Sequence, residues 1–141
     1  MSALLLDTCA AIWWFQGDHI DLKAKRAIER AELVSQVLIS PVSAWEISLL
    51  ARMRGSRSAK LQFTPSAKGF VDRVFADPVV QVVPLTPEIA FDSCNLPGDF
   101  HQDPADRFLV ATARALGVPI VTRDEDMQAY AKAGYLRLIA C

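Results

Sequence analysis

Four acids hold equivalent positions in this sequence although they lie far apart along it. Asp7 and Asp124 each close a hydrophobic run that reads as a strand. Glu46 and Asp106 each fall in the first turn of a helix that follows a strand or loop. In a parallel sheet, strand carboxyl ends and the starts of the following helices share one edge, which is where ligands bind. The four carboxylates are therefore expected to converge. Convergent carboxylates repel, so they must take up protons or hold a cation. An all-oxygen donor set selects a hard ion, magnesium or manganese, and such ions suit phosphate chemistry. An ion of that kind can acidify a water, aim it at phosphorus and neutralise the departing oxygen.

Rival chemistries find less support. His19 and His101 lack zinc spacing, and there is neither a Ser–His–Asp order nor a Gly-rich phosphate loop. Direct hydrolysis without a covalent enzyme intermediate is the simplest reading. Each acid also has an ordinary explanation. Ser43 and Glu46 spell a capping box, Asp103 and Asp106 resemble one, and Asp7 and Asp124 suit turns. Capping alone, however, does not require an inward face. Positions 106, 109, 110 and 113 share one helical face, so Asp106 heads an apolar stripe of Leu109, Val110 and Ala113. Glu46 is expected to head a matching stripe of Leu49, Leu50 and Met53.

The elements that must position these acids are legible in turn. Asp103 sits where an N-cap belongs, Pro104 suits the first helical position, and Gly117 is placed to stop that helix. Val118 to Val121 then reads as a buried strand. Earlier, Ala3 to Leu6 is a strand, Thr8 a cap for a helix over Ala10 to Phe15, and Asp21 a cap for Leu22 to Glu32. Val37 to Ile39 is a second strand, and Ser43 opens a helix through about Met53. Thr64-Pro65 begins another helix that ends before Asp77. Val79 to Val83 is a strand, and Thr86-Pro87-Glu88 starts a helix reaching about Cys94. Met127 to Ala133 is a short helix and Tyr135 to Ile139 a last strand. Such alternation predicts an α/β fold with a mainly parallel sheet and helices on both faces.

Bulk properties narrow the field. A chain of 141 residues, 52% of them hydrophobic, fits one well-filled domain, residues 1–141. A net charge of −1 excludes a general polyanion binder, so any nucleic-acid contact must be local. Arg52, Arg54, Arg57 and Lys60 form a basic loop that can hold phosphates or simply face solvent, and Arg107 and Arg123 adjoin the acids. Trp13 and Trp14 can stack on bases, though early-helix tryptophans are more often core or dimer-interface residues. Cys9, Cys94 and Cys141 show no metal or redox spacing and suit buried or terminal thiols in a reducing compartment. No apolar run approaches the ~18 residues of a membrane span. The Met-Ser-Ala-Leu-Leu-Leu-Asp start lacks a basic leader, so a cytoplasmic location is expected.

Several segments carry a resemblance. Leu-Leu-Leu-Asp-Thr-Cys-Ala-Ala-Ile-Trp-Trp, Ser-Ala-Trp-Glu-Ile, His-Gln-Asp-Pro-Ala-Asp-Arg-Phe-Leu-Val-Ala-Thr-Ala and Val-Thr-Arg-Asp occur in that order. They are similar to the successive motifs of PIN-domain ribonucleases, and most closely resemble the VapC toxins of toxin–antitoxin pairs. The resemblance implies a five-stranded parallel sheet in a three-layer α/β/α sandwich and a magnesium- or manganese-dependent endoribonuclease acting on RNA. It makes Asp7, Glu46, Asp106 and Asp124 the catalytic, metal-binding acids. Asp103 is a weaker candidate ligand, and Thr8 and Thr122 are expected to hydrogen-bond the acids or a bound water. It also implies a homodimer and inhibition by a small VapB-type antitoxin whose tail covers the acidic edge. The readings left beside it are a non-catalytic PIN-like interaction module and a small-molecule phosphohydrolase. A haloacid-dehalogenase pattern fits poorly, because Cys9 stands where a second aspartate is needed.

Overall fold

The hydrophobic runs at both flanks of the acids become the centre of a sheet. In the computed structural model, which describes residues 2–53, 63 and 66–141, five strands pair in the order β3-β2-β1-β4-β5, all parallel. They are β1 Leu4–Leu6, β2 Val37–Ile39, β3 Val80–Val82, β4 Ile120–Thr122 and β5 Leu138–Ala140. The three central strands are buried along their whole length, as parallel strands covered on both faces must be. Edge strands β3 and β5 retain more exposure.

Helices α1 Thr8–Gln16, α2 Leu22–Glu32, α3 Pro41–Arg52, α4 Ala67–Phe75, α5 Pro87–Asp92, α6 Pro104–Leu116 and α7 Glu125–Lys132 fill the connections. Strand alternation divides the core in two. Leu4 and Leu6 pack with Ala10, Ile12, Ala24, Ile28 and Phe70 of α1, α2 and α4. Leu5 faces the other way, against Leu109 and Val110 of α6 and Met127 and Tyr130 of α7. Each of these leucine side chains stabilises the fold by roughly 1.5–3 kcal/mol on burial.

The chain runs outward from β1 through β2 to β3, then returns to place β4 on the opposite side of β1. The order therefore reverses between β1 and β4. A crevice opens outside the strand carboxyl ends at such a reversal, and Asp7 and Asp124 follow those two ends.

Several boundaries differ from expectation for local reasons. Asp7, not Thr8, caps α1: its Oδ1 accepts the Ala10 N–H at 2.8 Å, and Thr8 joins the first turn. Helix α3 starts at Pro41 with Ser40 as its cap, so Ser43 lies inside the helix and the Ser43–Glu46 capping box is not formed. The inward face of α3 differs as well. Its buried face is Val42, Ser43 and Ile47, while Leu49 and Met53, expected inward, are exposed. Strand β4 begins one residue beyond Pro119, which lacks an N–H for the ladder and serves through its carbonyl, accepting from Leu5. Strand β5 lies nearer the C-terminus than expected, at Leu138–Ala140, and Tyr135, which precedes it, stacks on Tyr130. Asp103, Pro104 and Gly117 take their expected places around α6, with Gly117 at φ 65 as the left-handed cap. The expected helix start at Thr64-Pro65 lies outside the described residues, and α4 is capped by Ser66.

Candidate metal centre

Asp7, Glu46, Asp106 and Asp124 line one open cleft of ≈ 310 Å³, together with Thr8, Cys9, Trp13, Leu109 and Arg123. Four separate elements deliver the acids: the end of β1, the second turn of α3, the first turn of α6 and the cap of α7. Asp7 and Asp124, which suit turns on the ordinary reading, serve instead as helix caps, yet each keeps a place in the cleft.

Each acid except Asp106 is fixed by short-range donors. Asp7 is buried; its Oδ1 takes the Ala10 N–H and its Oδ2 the hydroxyl of Thr122. Thr122, itself fully buried, accepts the Asp124 N–H at 3.0 Å through the same oxygen, so one threonine ties the ends of both motifs together. Asp124 Oδ1 accepts the Met127 N–H at 2.8 Å. Thr8 donates to Glu46 Oε1 and lies 2.9 Å from the Ser43 hydroxyl, linking α1 to α3. The hydroxyls of Thr8 and Thr122, expected to hydrogen-bond the acids or a bound water, here engage the acids. Thr122→Val keeps the volume of this site but orphans the Asp124 N–H and removes a donor from Asp7. We expect it to cost about 1–3 kcal/mol in urea unfolding; a change within a few tenths would deny Thr122 its bridging role.

The electrostatics show an unbalanced charge. Burial, opposed by Thr122 and Ala10 and assisted by Asp124, raises the Asp7 pKa to about 6. Burial and then the charges of Asp103, Asp124, Glu46 and Asp7 raise Asp106 to about 7. Burial also raises Glu46, against the Thr8 hydrogen bond. A site whose carboxylates cling to protons near neutrality is one that a cation would stabilise, and its donors are the hard oxygens that a small divalent ion prefers.

Neighbouring residues sort into rim, frame and bystander. Asp103, the fifth acid considered as a ligand, does not line the cleft; its Oδ1 caps α6 through the Ala105 N–H, and its charge acts on Asp106 from outside. Arg107, expected as a phosphate contact, faces away. Its guanidinium clamps the carbonyls of Ser93, Phe100 and His101 at 2.7–3.0 Å, fixing the segment that leads into α6. Arg123 does reach the rim, stacked 3.7 Å from the centroid of the Trp13 ring and tied to the carbonyls of Cys141 and His19. Trp13 thus supports an arginine, and Trp14 donates to Glu32. Arg52 ends α3 exposed, whereas Arg54, Arg57 and Lys60 lie outside the described residues.

The cysteines are free, with Cys9 and Cys94 exposed rather than buried. Desolvation within the cleft and then the charges of Asp7, Glu46 and Asp106 push the Cys9 thiol up to about 12, which disqualifies it as a nucleophile. His101 is the participant that sequence reasoning missed. Its Nε2 lies 3.2 Å from Asp106 Oδ2. Its position two residues before Asp103 is the signal in the sequence, one that zinc spacing alone does not capture.

Comparison with known proteins agrees with this geometry. A PIN-domain family model matches residues 4–133. Ribonuclease VapC22 of Mycobacterium tuberculosis is 28% identical over 131 residues, covering 92% of this chain and 93% of that protein. DNA-bound VapBC from Salmonella typhimurium superposes with a TM-score of 0.65 at 16% identity, over 99% of this chain and 98% of that one. VapC20 of Mycobacterium tuberculosis, a Sarcin-Ricin loop cleaving toxin, superposes with a TM-score of 0.56 at 22% identity, over 95% of this chain and 97% of that one.

Proposed function

The chain belongs to the PIN-domain family, and from that premise we propose that it is a divalent-metal-dependent endoribonuclease, the toxin half of a toxin–antitoxin pair. One observation carries the reading: four carboxylates from separate elements line a single cleft at the reversal of the strand order. Similarity to a VapC ribonuclease over nearly the whole chain supports the substrate class.

Asp7, Glu46, Asp106 and Asp124 would hold the ion, magnesium or manganese. When bound, such an ion supplies Lewis acidity toward phosphoryl oxygens and brings the ionisation of water near neutral pH. The protein's own contribution is orientation. Asp7 is locked by two donors, Glu46 by Thr8 and Asp124 by the start of α7, so each presents a fixed oxygen to the cleft. Asp106 has no other described side chain donating to it apart from the facing His101, and it is the acid best suited to take a proton from an attacking water. Arg123, braced against Trp13, places positive charge at the rim where a phosphodiester backbone would pass. In sequence, Arg52, Arg54 and Arg57 add positive charge after the helix that carries Glu46, as further phosphate contacts in this reading. In this reading water attacks phosphorus directly, with no covalent enzyme intermediate.

A protein partner fits the surface. Trp45, Leu49 and Met53 recur every fourth residue along α3 and stand 56%, 44% and 53% exposed. Such a row suits coverage by a VapB-type antitoxin or a second copy of the chain in a homodimer. No described helix is long and apolar enough to cross a membrane.

Purified protein incubated with structured RNA and Mn²⁺ or Mg²⁺ tests the reading. Cleavage that stops with EDTA and leaves 5′-phosphate and 3′-hydroxyl ends is expected. Ends bearing 2′,3′-cyclic phosphate would show that the ribose hydroxyl, not water, is the nucleophile. Intact RNA under all divalent conditions would reject the assignment.

A further inference from the structure

The segment from His101 to Arg107 closes on itself through a network whose pivot is an imidazole. The Asp103 backbone N–H donates to His101 Nδ1 at 3.2 Å. A ring nitrogen that accepts carries a lone pair, so the neutral ring must bear its proton on Nε2. That nitrogen lies 3.2 Å from Asp106 Oδ2 and 3.8 Å from Asp126 Oδ2. A carboxylate is acceptor-only, and a facing N–H suits it where a facing lone pair would repel.

The ring has little freedom to choose otherwise. It stacks on Phe100, centroids 4.3 Å apart, and Phe100 packs in turn on Tyr130. The Phe100 and His101 carbonyls are held by Arg107. Asp103 is fixed as the cap of α6. Both the position and the tautomer of the imidazole are therefore set before anything enters the cleft.

A different role has to be weighed. One ligand atom each from His101, Asp124 and Asp126 lies within 4.8 Å of the others, a spacing that a cation can bridge. Ligation through Nε2 would use its lone pair and move the proton to Nδ1. There it would meet the Asp103 N–H, donor against donor. The local backbone thus works against the ligand role.

We propose that His101 is a positioning residue for Asp106, holding that carboxylate with an Nε2–H whose tautomer is set by the Asp103 backbone, and that it does not ligate the ion. The inference rests on the metal-centre reading above. It supplies a partner to Asp106, which lacks the backbone and hydroxyl donors that fix the other three acids.

Calorimetric titration with Mn²⁺ on wild type, His101→Ala and His101→Gln provides the test. Gln can replace the Nε2 donor, whereas Ala cannot. His101→Ala should weaken Mn²⁺ uptake about 10–100-fold, the usual effect of losing a group that orients a ligand, and His101→Gln should recover most of it. Pulsed electron paramagnetic resonance of the wild-type Mn²⁺ complex should show no nitrogen coupling from an imidazole. Such a coupling, or an unchanged affinity in a natively folded His101→Ala, would overturn the proposal. Wild type that takes up no Mn²⁺ would instead sink the metal-centre reading. The metal-free chain then decides the tautomer independently: ¹⁵N spectra at pH 8 should place the ring proton on Nε2 and show its resonance moving in Asp106→Asn. A ring protonated on Nδ1 refutes the proposal whether or not an ion binds.

Discussion

Asp106→Asn is expected to lower RNA cleavage by about 10³-fold or more, the scale on which removing one group that stabilises the transition state acts, and to make the metal-free protein more stable at pH 8. The two effects share a cause. Asp106 sits at the head of an apolar stripe, Leu109, Val110 and Ala113, among four other acids. Its carboxylate is desolvated and repelled, and its pKa moves from 3.8 to about 7. That is about three units, so charging it in the folded chain costs up to about 4 kcal/mol relative to the unfolded chain. Asparagine keeps the shape and removes the charge. It also removes one ligand oxygen's charge from the ion and the base that accepts a proton. Asp7→Asn should behave alike, since asparagine caps a helix about as well as aspartate. Thermal unfolding and single-turnover cleavage on the same preparations check this. Either variant cleaving RNA at the wild-type rate would remove its acid from the centre.

Much of this site was legible because its parts obey local rules. Asp103-Pro104 and Gly117 bracket α6 by cap chemistry alone, and the three apolar positions after Asp106 place that acid inward. The hydrophobic runs at Leu4–Leu6 and Ile120–Thr122 announce buried parallel strands, and an acid just past each marks the ligand edge. What the sequence could not supply was relative placement. That β1 and β4 are neighbours at the reversal of the sheet depends on tertiary pairing, which leaves no trace in periodicity. Glu46 was placed in the cleft from a helix start misplaced by three residues. Ser40-Pro41 is the start signal, and tertiary packing, which periodicity does not show, buries Val42, Ser43 and Ile47 and leaves Leu49 and Met53 exposed. Arg107 was assigned to phosphates because its charge adjoins acids in sequence. In the fold three carbonyls claim it, and a helical side chain's direction is decided by its face rather than by its neighbours. Arg123 also donates to two carbonyls but, beside Trp13, it stays in the lining of the cleft.

The second large effect concerns pH and the ion together. For Asp7 and Asp106 the folded pKa values, about 6 and about 7, lie above the ordinary aspartate value of 3.8. Between about pH 4 and pH 7 the folded chain therefore binds protons that the unfolded chain has released. Stability from these groups falls as pH rises through that window, and the full penalty is present above about pH 7. Metal-free protein should accordingly melt at a higher temperature at pH 6 than at pH 8. The groups facing Asp7 are Asp124 and Arg123; those facing Asp106 are Asp103, Asp124, Glu46, Asp7 and His101. An Asp7→Asn/Asp106→Asn double variant separates the two acids from the rest and should flatten the slope. Mn²⁺ must displace the same protons, so its uptake near pH 6.5 should release them, visible as calorimetric heats that depend on the buffer's ionisation enthalpy. At one hundred times its pH 8 dissociation constant the ion should add about 2.7 kcal/mol there and less at pH 6, where protons compete for the same oxygens, so the gap between the two melting temperatures should close. If metal-free protein is instead more stable at pH 8 and binds Mn²⁺ without releasing protons, the carboxylates are not crowded, and the case for an ion at their centre fails with them.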